Sequence, residues 1–272
     1  MEFLTILVSG LLGLLSPVGL VVDRTALHAI RSQFATFEQL QVRIDNTPSY
    51  QLLQGKVERV RIAGRSLQLK KQDVHITVLE LDTDTIELAS PIKQRRIKLK
   101  RLLQAGVRLV LTQQDVNKLL HLPQSIARLQ HLKIHSLGPD TGNISIYNFI
   151  NPNVRFFANN RLDLQVELQK KDKSKPLLIK IESGVALVNG SQIKLVDPNA
   201  KVNGEEVPPR FLNVIVDHIN NQLNLRNLEE KGLQMRILKL KTQPTQLEIA
   251  AFLRIEPSSK FLQKYSDASP SG

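Results

Sequence analysis

From Val42 onward the chain repeats one pattern: apolar residues alternate with charged or polar ones at a spacing of two. Val42 and Ile44 flank Arg43, Val60 and Ile62 flank Arg61, and Val74, Ile76 and Val78 continue the theme. A two-residue period sends successive side chains to opposite faces, so each segment predicts a strand with one apolar face and one wetted face. At Leu79 and Leu81 the apolar parity shifts, which is what a β-bulge produces. Ile97 and Leu99, then Val107, Leu109 and Leu111, predict the next strands. The second half repeats the theme in Leu162, Leu164, Val166 and Leu168, in Ile179 and Ile181, in Val185 and Leu187, and in Ile193 and Leu195. Met235 with Ile237, and Leu247 through Ile255, close the series. Asn189-Gly190 between apolar runs marks a hairpin. Gly138-Pro139 and Asn151-Pro152 read as turns.

Three segments instead carry helical spacing. Leu27, Ile30, Phe34 and Phe37 predict one apolar face over Arg24 to Gln39. Thr112-Gln-Gln-Asp115 is a capping sequence, followed by Val116, Leu119 and Leu120 on one side and ended by Pro123. Pro208-Pro209 opens a helix in which Leu212, Ile215, Val216, Ile219 and Leu223 share a face. These helices are too few for a βαβ alternation, so the fold class expected is α+β, with a strongly curved antiparallel sheet that keeps one face apolar.

The amino terminus differs from everything after it. Residues 3–22 are an uncharged, mostly apolar run, ended by Asp23 and Arg24. About 20 apolar residues is the length of a helix that crosses a bilayer. Three readings fit: a retained anchor, a signal-like segment, and a buried helix or hairpin broken at Ser16-Pro17. Before the run the only side-chain charge is Glu2, whereas a signal peptide favours a positive flank. Arg24, His28 and Arg31 follow it, which by the positive-inside rule puts the body on the cytoplasmic face. The division expected is an apolar segment at 1–23, one α+β domain at 24–257 and a flexible tail at 258–272.

Charge narrows the partners. The net charge is +12 and the isoelectric point about 10.0, which favours a polyanionic partner or surface. Aromatics make up only 4%, with no Trp, so single-strand nucleic-acid binding by base stacking is disfavoured and nucleic acid is not an expected partner. The absence of Cys removes disulfides and thiolate metal sites. His131 and His135 stand four apart without a third ligand nearby, so no metal and no cofactor are expected. No nucleophile elbow, P-loop, zinc-protease or dinucleotide motif occurs, which leaves a non-enzymatic reading.

Two sets of residues are the candidate sites. Arg95, Arg96, Lys98, Lys100 and Arg101, if extended around Ile97 and Leu99, form a basic stripe suited to anionic headgroups, worth about 1 kcal/mol per basic residue near such a surface. The same residues also fit an ordinary solvated strand face. Lys170, Lys171, Lys173 and Lys175 read as a charged turn. Leu162, Leu164, Val166, Leu168, Leu247, Ile249, Leu253 and Ile255 supply apolar strand faces that are either plain core or a lining for acyl chains. A two-chain phospholipid leaving a bilayer exposes about 30 methylenes at about 0.8 kcal/mol each, so only a long continuous lining could offset that cost.

The segments SYQLLQGKVERVRIAGRSL (49–67) and LLQAGVRLVLTQQDVNKLL (102–120) resemble the LmeA-like phospholipid-binding family, and the whole chain to about Glu256 is similar to its cyanobacterial members. Gly55, Gly64 and the helix start at Thr112 to Asn117 carry the match. The resemblance implies an envelope or membrane-associated lipid-binding domain similar to tubular lipid-binding proteins. Its curved sheet would wrap a long amphipathic helix, here Arg24 to Gln39 or Pro209 to Leu223. The function expected is phospholipid binding, with anionic phospholipid or a membrane surface as partner and lipid carriage as a possible role. The alternative is a membrane-tethered scaffold whose apolar face is fully packed.

Overall fold

The structure is a computed structural model that describes residues 31–46, 51, 55–70, 74–88, 99–123, 125–126, 132–135, 144–170 and 176–264. The apolar run at 3–22 lies outside them. Among the described residues no helix is long and apolar enough to cross a membrane. The chain is mostly antiparallel sheet with a few helices, and neither of its large sheets closes into a barrel among these residues. It divides into two compact units.

The first unit takes 112–224 together with 240–247. Its six-stranded sheet is a meander of β8 (Leu132–His135), β9 (Ile144–Phe157), β10 (Arg161–Lys170), β11 (Leu177–Val188), β12 (Gln192–Val202) and β13 (Glu205–Glu206). The β11–β12 hairpin turns at Asn189 and Gly190, whose φ values of +51° and +64° suit the twist of the two strands. Helix α1 (Gln113–Leu120) starts as expected, because the Thr112 hydroxyl accepts the Asp115 amide at 3.1 Å and Asp115 accepts the Thr112 amide at 3.1 Å. Asn117 then clamps β9: its side-chain amide donates to the Val154 carbonyl at 2.9 Å and its carbonyl accepts the Val154 amide at 2.7 Å.

Helix α2 (Pro209–Gln222) begins with Pro209, whose missing N–H costs nothing at that position. Its apolar face covers the sheet. Ile215 is fully buried against Val166, Leu168, Ile179, Ile181 and Ala200, and Phe211, Leu212 and Ile219 pack around them.

Asn151-Pro152 does not turn the chain. It sits inside β9, where the register against β10 jumps from Gln165↔Asn153 to Glu167↔Ile150, so that two residues oppose Val166 alone. Asn151 adopts φ +53° there, and Pro152 needs no ladder donor at a bulge. β12 repeats the device. Its register jumps from Glu182↔Asn199 to Gly184↔Val196, so that Asp197 (φ +46°) and Pro198 oppose Ser183. The Ser183 hydroxyl, fully buried, donates towards the Val196 carbonyl at 2.9 Å and the Gly184 carbonyl at 2.7 Å.

The second unit takes 4–111, 225–239 and 248–272. Its sheet runs β1 (Phe34–Thr36), β4 (Arg59–Leu69), β5 (His75–Thr83), β7 (Leu103–Thr112), β15 (Gln246–Ile255) and β14 (Leu233–Gln243), and β2 (Gln39–Asp45) also pairs with β4. A short ladder joins β3 (Lys56–Val57) to β6 (Ile86–Glu87). Burial changes parity at one level in two paired strands: between Gly64 and Leu67 in β4, and between Ile76 and Leu79 in β5. Ser66, with φ +51°, turns β4 at that level, and the Leu67 side chain folds over Gly64, where an added Cβ would stand 2.7 Å from it. Gly55 adopts φ +77° in the turn before β3, and its carbonyl accepts the Leu88 amide at 2.9 Å.

The helix expected over Arg24 to Gln39 is corrected from residue 33 on; 24–30 lie outside the described residues. Phe34–Thr36 and Gln39–Asp45 are strands because β4 takes up their backbone groups, with Phe34 opposite Leu69 and Gln39–Asp45 opposite Arg65 back to Arg59. Phe34 is buried whereas Phe37 is exposed, so the two do not share one core face. His135 ends strand β8 rather than lying on a helix, and His131 is outside the described residues. In the segment expected to be a flexible tail, Lys260–Lys264 forms a short helix α3 with Phe261 and Leu262 buried, while 265–272 are outside the described residues.

Gly232 tests this packing most sharply. Its φ is +76°, and a Cβ there would lie 2.8 Å from the Ser259 Cα. Gly232→Ala is expected to destabilise the protein by about 2 kcal/mol or more, from the left-handed backbone and the backbone clash together. Urea unfolding measures it, and an unchanged midpoint would contradict the geometry. Thr112→Ala is expected to cost about 1 kcal/mol in the same assay.

Candidate functional site

The strands of the second unit's sheet bring together charged residues that are far apart in sequence. In register, Arg43 faces Arg61, Arg61 faces Asp82 and Asp82 faces Gly106. On the neighbouring row Gln41 faces Ala63, Ala63 faces Glu80 and Glu80 faces Arg108. Strand alternation puts both rows on the face opposite the buried Ile62, Leu81 and Val107. A depression of about 710 Å³ lies here, lined by these residues together with Val42, Leu238, Ala250 and Ala251. Ile62, Leu81, Val107 and Ala251 keep at most 6% of their surface, so what a ligand can touch is the charged row and its small neighbours.

The charges are paired. Arg43 and Arg61 are like charges on opposed strands, a destabilising arrangement that a shared Asp45 relieves. Arg43 donates to Asp45 at 2.6 Å, and Arg61 donates to the other Asp45 oxygen. Arg59 grips Asp82 through two bonds of 2.6 and 2.5 Å, the forked geometry that favours arginine over lysine. Arg108 bridges β5 and β15, with 3.0 Å to Glu80 and 2.9 Å to Glu248, and Lys239 reaches Glu248 at 3.0 Å.

These contacts set the ionisation. The hydrogen bond from Arg61, and then that from Arg43, hold the Asp45 carboxyl below its ordinary value. Arg108, and then Lys239, do the same for Glu248. Their partners move the other way: Asp82 raises Arg59, and Glu248 raises Arg108.

The basic stripe is described only in part. Arg95, Arg96 and Lys98 lie outside the described residues. Leu99 is buried and bridges to Leu88, Lys100 is exposed, and Arg101 stands 3.4 Å from Glu87. Of the charged turn, Lys170 ends β10 and 171–175 are outside the described residues.

The proposed apolar lining falls in two places. On β10, Val166 and Leu168 are buried under α2, while Leu162 and Leu164 are half-buried. On β15, Leu247, Ile249, Leu253 and Ile255 share one buried face. Asp217 and His218 lie on α2, where burial holds the His218 imidazole below its ordinary value. Among the described residues no group of three or more His, Cys, Asp or Glu could hold a metal ion.

The charged depression was not read from the sequence. Its signal was present as arginines at alternate positions in β4 (Arg59, Arg61) and acids at alternate positions in β5 (Glu80, Asp82), a complementary pair on adjacent strands.

The described residues form a sheet-dominated protein with long two-faced strands and a few helices. The chain belongs to the LmeA-like phospholipid-binding family, whose model matches residues 15–252. No curated protein and no solved structure matches it.

The depressed carboxyls predict the acid limb of the stability curve. A carboxyl held below its unfolded value (about 3.9 for Asp and about 4.3 for Glu) stabilises fully above that value and loses its contribution as pH falls through the lower folded value. Asp45→Asn combined with Glu248→Gln should therefore differ from the parent at neutral pH and converge on it in strong acid. Urea midpoints measured from about pH 7 down to about pH 2.5 check this, and a constant gap would rule it out.

Proposed function

We propose that this protein is a non-enzymatic, membrane-associated phospholipid-binding protein that carries or presents lipid for membrane or envelope upkeep. The observation that carries this reading is the family match over residues 15–252, nearly the whole chain. Two features agree with it: the net charge of +12, which suits an anionic surface, and a fold rich in Leu, Ile and Val strand faces.

In this reading acyl chains lie along apolar sheet faces, each taken by itself: Leu162, Leu164, Val166 and Leu168 on β10 of the six-stranded sheet, and Leu247, Ile249, Leu253 and Ile255 on β15 of the other sheet. The β10 face is already occupied by Ile215 and its neighbours on α2, so lipid uptake there goes with displacement of that helix. Helix α2 is then the counterpart of the long helix wrapped by a curved sheet in a tubular lipid-binding architecture. Arg95, Arg96, Lys98, Lys100 and Arg101 dock the protein on anionic headgroups.

Lipid extraction or native mass spectrometry of the purified full chain tests the core of the proposal. A carrier retains phospholipid at near-stoichiometric level, and lipid-free protein after gentle purification would favour a fully packed scaffold. Changing Arg96, Lys98 and Lys100 together to Glu tests the docking stripe. Binding to anionic vesicles at low salt should fall by at least about tenfold, since three basic residues at about 1 kcal/mol each are removed and reversed. Unchanged binding would discard the stripe.

A further inference from the structure

The depression on the second unit's sheet is not built as an anion trap. Arg43, Arg61 and Arg108 each already donate to a carboxylate: Asp45 for the first two, Glu80 and Glu248 for the third. A bare anion would have to compete with those fixed carboxylates for the guanidinium groups. An ammonium group would have to compete with the guanidinium groups for the carboxylates. A hydroxyl does neither, because it donates and accepts together and so joins an ion pair without opening it.

From this we infer that the depression seats a phospholipid headgroup on the charged face of this sheet, apart from the apolar faces proposed for acyl chains, and that it selects a headgroup ending in adjacent hydroxyls, a glycerol or a sugar ring. The inference rests on the phospholipid-binding reading above. Four further observations support it. The volume, about 710 Å³, lies within the range of roughly 300–1,000 Å³ that small-ligand sites occupy. The floor is made of small residues: Ala63 and Gly106 are exposed, and a Cβ added to Gly106 would meet no atom within 4 Å, so C–H faces of a polyol can lie flat there. Hydrogen-bonding capacity remains on the walls, since Arg108 spends one Nε–H on Glu248 and one terminal N–H on Glu80, of five in all. Leu238, 72% exposed, offers an apolar contact to the part of the lipid that joins headgroup to chains.

The test uses the full chain and vesicles holding equal amounts of phosphatidylglycerol, phosphatidylethanolamine and phosphatidic acid, which differ in the terminal polyol, amine or bare phosphate. After incubation the protein is re-isolated and its lipid quantified by mass spectrometry. Phosphatidylglycerol should be enriched about fivefold over either competitor, the scale of one net hydrogen bond. Gly106→Phe, which fills the floor, and Glu80→Gln, which keeps the size of an exposed side chain but removes its charge, should each bring the ratio back towards that of the vesicles. Gly106→Ala should keep the enrichment. Glu80→Gln carries the test should Gly106→Phe unfold, as circular dichroism would show. Bound lipid without headgroup preference, a preference for phosphatidic acid or phosphatidylethanolamine, or a polyol preference untouched by the folded variants overturns this inference alone. Absence of any bound lipid from the parent protein overturns the function proposed above, and this inference with it.

Discussion

The pairing of β15 with β7 holds the second unit together across the longest gap in the chain. β7 ends at Thr112 and the strand that returns beside it begins at Gln246, with the whole of the first unit's main segment between them. Closing a loop of that length is unfavourable, although the cost grows only logarithmically with the number of residues. What offsets it is local to the returning hairpin. Ile249, Ala251, Leu253 and Ile255 bury one face of β15, and Arg108 ties β7 to Glu248 on the other. The Arg108–Glu248 and Lys239–Glu248 pairs, and the side of the depression formed by Leu238, Ala250 and Ala251, exist only when that return is made.

The two faces of the sheet do different work. On the apolar face burial supplies most of the stability, and removing large side chains there would leave cavities. On the charged face each ion pair is partly exposed, and pairs of that kind contribute little to stability individually. Their value is positional. Asp45 keeps two arginines of adjacent strands side by side, and Arg108 fixes Glu80 and Glu248 at known separations. A surface ordered in this way can offer donors and acceptors in fixed places to a ligand with hydroxyls, at little further entropy cost on binding.

Features set by a few neighbouring residues were legible in the sequence. The Thr112 capping box, the helix opened at Pro209 and the Asn189-Gly190 turn all appear where local chemistry puts them. Features decided by a distant partner were not. The apolar spacing from Leu27 to Phe37 is a good helical pattern, yet β4 captures the segment from Phe34 on as strand. Asn151-Pro152 has turn composition, and only the presence of β10 beside it makes it a bulge. The depression escaped for the same reason, since Arg108 and Glu248 lie 140 residues apart and meet only through the fold. The family resemblance carried by Gly55, Gly64 and the 112–117 helix start rests on positions with clear roles: a left-handed turn, a space for the Leu67 side chain, and a clamp on Val154.

The two proline bulges in the six-stranded sheet act as a lock on alignment. Asn151-Pro152 sits opposite Val166 and Asp197-Pro198 opposite Ser183, on the two strands that flank the central β10–β11 pair. Sliding either outer strand by a residue would carry a ring nitrogen into a place that demands a donor and would turn the greasy side of the strand outwards. Because both neighbours of the central hairpin are pinned independently, these four strands have one alignment in which every buried residue stays inside and neither proline meets a ladder position.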